Sequence, residues 1–299
     1  MNNNVYVRVR GGLGNQMFQY AYALALANYN KRRIILDIRE YKDYYWPFNL
    51  NSFVLADSVL INAEDKLPYD FKIKLFHIYQ FIKRKISKKE LLPPKCLLKK
   101  GYIFTDIFSP DPSLINEEGN IFLYGYFQDV KYLLPIQKEL YESFTLIEKS
   151  HTLIQYLSLV DNNALAISMR FAEDIELAKG EKYIYSDSKY YIDAIEYIFQ
   201  HKEEKQLVVM SNSIEKAKKL LKEKFSSSEI VFIENLSAQE QIEVFKKCND
   251  FIISNSTFAW WGAFLGSYGK DSIIISPRTW YQGTDIDSTH LFFEKMKVF

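Results

Sequence analysis

Three short stretches of this chain gather side chains able to handle a charged leaving group. Ser254-Asn255-Ser256-Thr257 sets hydroxyl and amide groups after the apolar run Phe251-Ile252-Ile253 and before Phe258-Ala259-Trp260-Trp261, which reads as a strand-to-helix turn. The first amides of a helix lack internal partners and carry the positive end of its dipole, so such a turn suits a phosphate. Arg170 follows the apolar run Ala164-Leu165-Ala166-Ile167. At the carboxyl end of a parallel strand a guanidinium points into the crevice where such sheets bind ligands, and its planar fork matches a pyrophosphate. Glu173, three residues on, is a carboxylate able to act as a weak base toward an attacking hydroxyl. Structural readings compete: Ser256 or Thr257 as a plain helix cap, the tryptophans as core, and Arg170 as a surface ion pair with Glu173 or Asp174.

The third stretch is Gly11-Gly12-Leu13-Gly14-Asn15-Gln16, between the alternating strand Val5–Val9 and an alanine-rich helix over Gln16–Asn28. Its glycines let backbone approach a ligand closely. Asp37, ending a second strand Arg33–Leu36, adds the look of a dinucleotide fingerprint, but Met17 stands where the third glycine belongs. Beyond residue 160 the pattern is regular. Strands over 164–168, 206–210, 229–233, 250–253 and 272–275 alternate with helices over 189–200, 214–224, 238–247 and 258–265. Such alternation predicts right-handed βαβ units on a parallel sheet. Between the halves, Ile121–Gln128 reads as a strand running into a loop and Asp129–Tyr141 as a helix, with a boundary near 145–160. The expected domains are 1–150 and 151–299, each Rossmann-like.

The runs Ser254-Asn255-Ser256-Thr257-Phe258-Ala259-Trp260-Trp261-Gly262-Ala263 and Gly11-Gly12-Leu13-Gly14-Asn15-Gln16-Met17-Phe18-Gln19-Tyr20-Ala21 resemble the two terminal motifs of the α-1,2-fucosyltransferases of glycosyltransferase family 11. Gly125-Tyr126-Phe127-Gln128 also matches that family's pattern, and the resemblance spans essentially all 299 residues. It implies a GT-B architecture, two Rossmann-like domains facing a cleft. It further implies an inverting, metal-independent transfer of L-fucose from GDP-fucose to a glycan hydroxyl, in surface polysaccharide or O-antigen assembly. No cofactor is implied beyond the GDP-sugar donor. The donor-binding set it implies is Gly12, Gly14, Asn15, Gln16, Asn212, Ser213, Asn255, Ser256, Thr257 and Phe258, with Arg170 and Glu173 catalytic. Two motifs depart from the family. Its His-x-Arg-Arg-Gly-Asp is Ser168-Met169-Arg170-Phe171-Ala172-Glu173 here, and its Phe-Ser-Asp-Asp is Met210-Ser211-Asn212-Ser213. Asn212 offers one acceptor where a carboxylate would read guanine, so Glu234 and Glu240 are alternative acids on that side. A changed donor, or a glycan-binding protein without catalysis, are the alternative functions.

Thirty-eight Lys+Arg against 37 Asp+Glu leave a formal charge of +1, which argues against a nucleic-acid binder. Cys96 and Cys248 are far apart, in no metal-ligand or redox spacing, the usage expected of a reduced, cytoplasmic protein, and the four histidines show no ligand spacing. Asp285-Ile286-Asp287 is the one metal-like motif, in a tail loop rather than after a mid-chain strand. Tyr41, Tyr44, Tyr45, Trp46 and Phe48 form an aromatic cluster fit for a sugar groove or for a packed loop. Residues 72–100 hold ten Lys/Arg against one acid, Glu90, with Leu75, Ile78, Tyr79, Ile82 and Ile86 at helical spacing. A peripheral membrane contact and a helix packed by that face on the domain are the two readings of this stretch.

Overall fold

The computed structural model describes residues 3–56, 59–64, 66–67, 69–86, 100–105, 109–115, 119–171, 187–203, 205–281 and 287–299. The chain divides into two units, Met1–Phe144 with Thr284–Leu291, and Thr145–Gly283 with Phe292–Phe299. The division falls at the early edge of the expected boundary, and a tail segment returns to the first unit.

In the first unit β1 (Asn4–Arg8), β2 (Arg33–Asp37), β3 (Val59–Asn62), β4 (Tyr102–Phe104) and β5 (Ile121–Tyr124) form a parallel sheet of order β3-β2-β1-β5-β4. Helix α1 (Leu13–Asn30) follows β1, and α2 (Asp70–Ile86) precedes β4. Valine and isoleucine favour the pleated strands, while the alanines of α1 allow it to be buried nearly all round. The helix expected over Asp129–Tyr141 is two short 3-10 turns, Val130–Tyr132 and Leu134–Ile136, followed by α3 (Gln137–Ser143). Pro135 explains the break, since it removes an amide from the helical ladder.

The second unit adds α4 (His151–Leu159) and a six-stranded parallel sheet: β6 (Leu165–Met169), β7 (Leu207–Ser211), β8 (Ile230–Phe232), β9 (Asp250–Ile252), β10 (Ile274–Ser276) and β11 (Met296–Val298). Helices α5 (Ser188–His201), α6 (Ile214–Lys224), α7 (Ala238–Lys247) and α8 (Thr257–Gly266) connect them. The sheet order is β11-β10-β9-β6-β7-β8. Counted by appearance within the unit this is 3-2-1-4-5-6, the doubly wound nucleotide-binding order, whose direction reverses between β6 and β9.

Candidate active site

Ligands of doubly wound sheets bind outside the carboxyl ends of the strands at the point of reversal. Ile167 pairs with Ile252 across β6 and β9, so Arg170 and Asn255 each lie three residues past the same rung. The backbone of Arg170 is held from two sides. Its amide donates to the Tyr191 hydroxyl at 2.9 Å. The next residue, Phe171, donates its amide to Asn212 Oδ1 at 2.9 Å and accepts from Asn212 Nδ2 at 3.1 Å. Asn212 thus latches the end of β6 to the end of β7, and no sequence signal marked Tyr191 for its part. The guanidinium of Arg170, half-buried, has no hydrogen-bond or ion-pair partner among the described residues. Glu173 and Asp174 lie outside the described residues.

Across from Arg170, the turn into α8 is left open. Ser256 is the N-cap, yet its side chain makes no capping hydrogen bond, and its amide folds back onto the Ser254 carbonyl at 2.7 Å. The first helical bond is Trp260 to Ser256, 2.9 Å. The amides of Thr257, Phe258 and Ala259 therefore have no acceptor among the described residues, and they sit at the positive end of the helix. Ser254 Oγ is fully buried with no partner in the described structure. Packing explains the rest of the motif. A Cβ on Gly262 would lie 2.5 Å from the Phe245 ring and one on Gly266 2.5 Å from that of Phe251, so the two glycines let α8 press against α7 and β9. Trp260 and Trp261 are fully buried core, Trp260 stacked on Phe264 at 4.7 Å. Further along the strand ends, half-buried Tyr190 donates to the Ile253 carbonyl at 2.7 Å and borders an open cleft of about 420 Å³ lined also by Asp187, Lys189, Arg278 and Thr279.

The other expected residues have different surroundings. The Ser213 amide donates to Ser211 Oγ at 3.0 Å at the start of α6. Glu234 pairs with Lys218 at 2.8 Å, and Glu240 closes a capping box with Ser237. Neither acid replaces the family's missing carboxylates at the end of β7. Asp287 caps a short 3-10 turn through Thr289, and Asp285 lies outside the described residues. No group of three potential metal ligands occurs among the described residues.

In the first unit the glycine loop is closed by its own side chains. Gln16 is fully buried; its Nε2 donates to the carbonyls of Gly11, 3.0 Å, and Pro47, 2.8 Å, while Oε1 accepts from the Asn49 amide at 2.9 Å. Expected to face a ligand, it instead staples the loop of 47–49 to Gly11. Gln19 holds the backbone of Arg10 from both sides, and Tyr41 donates to the Gly11 carbonyl at 2.7 Å. Gly11 needs its freedom: its φ is +84°, and a Cβ would meet Asn15 Nδ2 at 2.8 Å. Trp46 covers Gly12, Gly14 is buried in the first turn of α1, and Asn15 accepts from Gln128 at 3.0 Å. Asp37 is fully buried and accepts from Arg8 at 2.6 Å, Tyr69 at 2.7 Å and Arg39 at 2.8 Å. Burial alone would raise its pKa, but the bonds from Arg39, Arg8 and Tyr69 outweigh it and hold the carboxyl below the usual range. It has no face left for a ribose, which removes the dinucleotide reading.

Comparison with known proteins decides the family: residues 4–291 match Glycosyl transferase family 11. The chain belongs to this family. It is a glycosyltransferase. An alpha-1,2-colitosyltransferase of Escherichia coli is 28% identical over 95% of this chain and 94% of its own. The O-antigen biosynthesis glycosyltransferase WbnK of Escherichia coli is 27% identical over 94% of this chain and 96% of its own. Among solved structures, the NodZ alpha-1,6-fucosyltransferase from Bradyrhizobium, soaked with GDP-fucose, is 14% identical with a TM-score of 0.51, covering 89% of this chain and 93% of that one. The likeness is one of fold, and the two Rossmann-like units of this glycosyltransferase are of the GT-B class.

Proposed function

We propose that this family 11 enzyme transfers L-fucose from GDP-fucose to a glycan hydroxyl with inversion, forming an α-1,2 linkage during O-antigen or related surface-polysaccharide assembly. The observation that carries the reading is the reversal point between β6 and β9, where a guanidinium without a partner among the described residues and the uncapped start of α8 offer a diphosphate both charge and amide donors. The acceptor oxygen attacks the anomeric carbon as the bond to the diphosphate breaks. Its proton passes to a weak base, for which Glu173 is the assigned residue. Arg170, Ser256, Thr257 and the amides of Thr257 and Phe258 take up the charge developing on the departing GDP, an interaction strongest in the transition state. Asn212 contributes by holding Phe171, and through it Arg170, in place.

The relation to an alpha-1,2-colitosyltransferase favours a second donor, nucleotide-activated colitose, on the same diphosphate site. Thermal-shift titration with GDP, UDP, ADP, TDP and CMP, with and without EDTA, tests the base and metal independence together, because a ligand of the native state raises the midpoint. A shift for GDP alone, unchanged by EDTA, followed by turnover of GDP-fucose, is the expected result. Turnover of colitose donor in preference to fucose donor moves the sugar, and no shift with any nucleotide overturns the reading.

A further inference from the structure

The glycine loop of the first unit is closed, but the side chains standing over it are not. Around the carboxyl ends of β1 and β5, where this sheet reverses, aromatic rings form a rim. Tyr44 meets Tyr41 edge-on at 5.6 Å, Tyr126 lies 5.6 Å from the Arg10 guanidinium, and Tyr45 stands edge-on to Trp46 at 5.1 Å. Trp46 lies over Gly12 and is 43% exposed, whereas Trp260, Trp261 and Trp280 are all 6% exposed or less. Large rings left partly in water at such a place offer a flat apolar surface with polar edges.

Beside the rings stand two opposite charges with polar atoms to spare. Glu40 Oε1 accepts from Arg8 at 3.2 Å, while Oε2 lies 4.0 Å from Arg10 Nε, beyond hydrogen-bond reach. Arg10 donates from Nη1 to Tyr124, and its side chain makes no other hydrogen bond among the described residues. Both side chains are half-buried. Burial would lower the pKa of Arg10, but Tyr126, Tyr124, Glu40 and Tyr44 together raise it, so all four bear on its charge. The wider cluster is balanced too, with Arg8, Arg10 and Arg39 set against Asp37, Glu40 and Asp70. A carboxylate oxygen next to guanidinium donors fits two neighbouring hydroxyls of a sugar, one donating to Glu40 and the other accepting from Arg10. The rings then take the sugar's apolar C–H face. An anionic ligand is disfavoured here, because Glu40 opposes it and the charge of Arg10 is already answered.

We propose that Trp46, Tyr44, Tyr126 and the Glu40–Arg10 pair form a subsite for a neutral hexopyranose of the acceptor glycan and discriminate against uronic acids and other anionic sugars. Placing that sugar on the acceptor rests on the proposed glycosyl transfer. The test needs neither donor nor turnover, since Trp46 is the one tryptophan placed to report a bound sugar. Tryptophan emission of the full chain is titrated with the methyl glycosides of glucose and galactose and with their uronic-acid counterparts. A saturable change with at least one neutral glycoside, and at least about tenfold weaker binding of its uronic acid, is the expected result. Glu40→Gln keeps an acceptor for Arg8 and removes the charge, so the preference for neutral over uronic sugar falls about fivefold or more, a ratio that a merely structural role would leave alone. Trp46→Ala, at an exposed position, loses at least about tenfold in affinity for the same glycoside, read by ligand-observed NMR because the reporter is gone. No saturable emission change with any glycoside, equal binding of neutral and uronic sugars, or unchanged binding by Trp46→Ala overturns the proposal. A protein that responds to GDP in thermal shift but to no glycoside loses this subsite and keeps the proposed donor. One that binds neutral glycosides through Trp46 without any nucleotide shift keeps the subsite and loses the transfer.

Discussion

The two units carry the same device at their points of reversal, and they have finished it differently. In each, an arginine stands three residues past the last rung paired across the reversal: Arg10 beyond the Val7–Leu123 pair, Arg170 beyond Ile167–Ile252. Arg10 donates to the Tyr124 hydroxyl and lies over the rings of Tyr124 and Tyr126. Tyr124, buried and further bonded to His77 at 2.7 Å, has its pKa pushed up to about 12, chiefly by burial. Around it Gln16, Gln19, Tyr41 and Gln128 take up the polar groups of the glycine loop. Arg170 has no such partner among the described residues, and the helix beside it starts uncapped. Buried or half-buried polar groups are normally satisfied within the protein, and a ligand completes those that are not. A long sequence motif can therefore close on its own side chains in one unit and leave its polar groups open in the other.

The contrast is broken most decisively at Arg170. Arg170→Ala is expected to lower transfer by a factor of about 100 to 1,000 with the unfolding midpoint unchanged, the loss typical of one transition-state donor; steady-state kinetics beside thermal unfolding read both. The matching change in the first unit, Gln16→Ala, orphans the Pro47 carbonyl and the Asn49 amide and is expected to cost about 2–3 kcal/mol of stability, measured by denaturant titration. Gly262→Ala drives a methyl into the Phe245 ring and costs about 1–3 kcal/mol by the same measurement. The smallest effect sharpens the comparison within the second unit. Ser237→Ala removes a working cap and costs about 1 kcal/mol, whereas Ser256→Ala, whose hydroxyl caps nothing, stays within about 0.5 kcal/mol and instead weakens GDP binding in a thermal-shift titration. Equal destabilisation by the two serines would mean that Ser256 is only a cap.

Legibility in the sequence followed the strength of local pattern. The second unit's strands and helices stand where alternation of apolar runs and helical spacing put them, because a parallel strand buried on both faces has to be a continuous apolar run. That alternation, with the Ser254–Thr257 turn and Arg170, was enough to bring the site's parts to one end of one sheet. β3 and β4 were not readable: they are short, and β3 is an edge strand with Leu60 and Ile61 outward, so it shows no inward alternation. Gln16 was misplaced because an amide side chain beside glycines looks the same whether it serves a ligand or its own loop. Only the positions of Pro47 and Asn49, more than thirty residues on, distinguish the two. The same limit applies to α2, where Ile73 and Phe76 turn inward while Leu75 and Ile78 are exposed: spacing finds an apolar row without saying which of two rows turns inward.

The latch made by Asn212 has an electrostatic consequence. Along the ends of β6, β7 and β9, residues 169–171, 211–213 and 253–256, Arg170 is the one formally charged side chain, because Asn212 and Ser213 stand where the resembled family motif has two aspartates. Two carboxylates there would oppose an incoming diphosphate and partly cancel the arginine's field. With neutral groups in their place that opposition is removed from the end of β7, and the guanidinium meets the ligand at contact distance, where added salt screens weakly. Donor affinity should then fall only gently as ionic strength rises, as expected of a contact made at short range in a half-buried site.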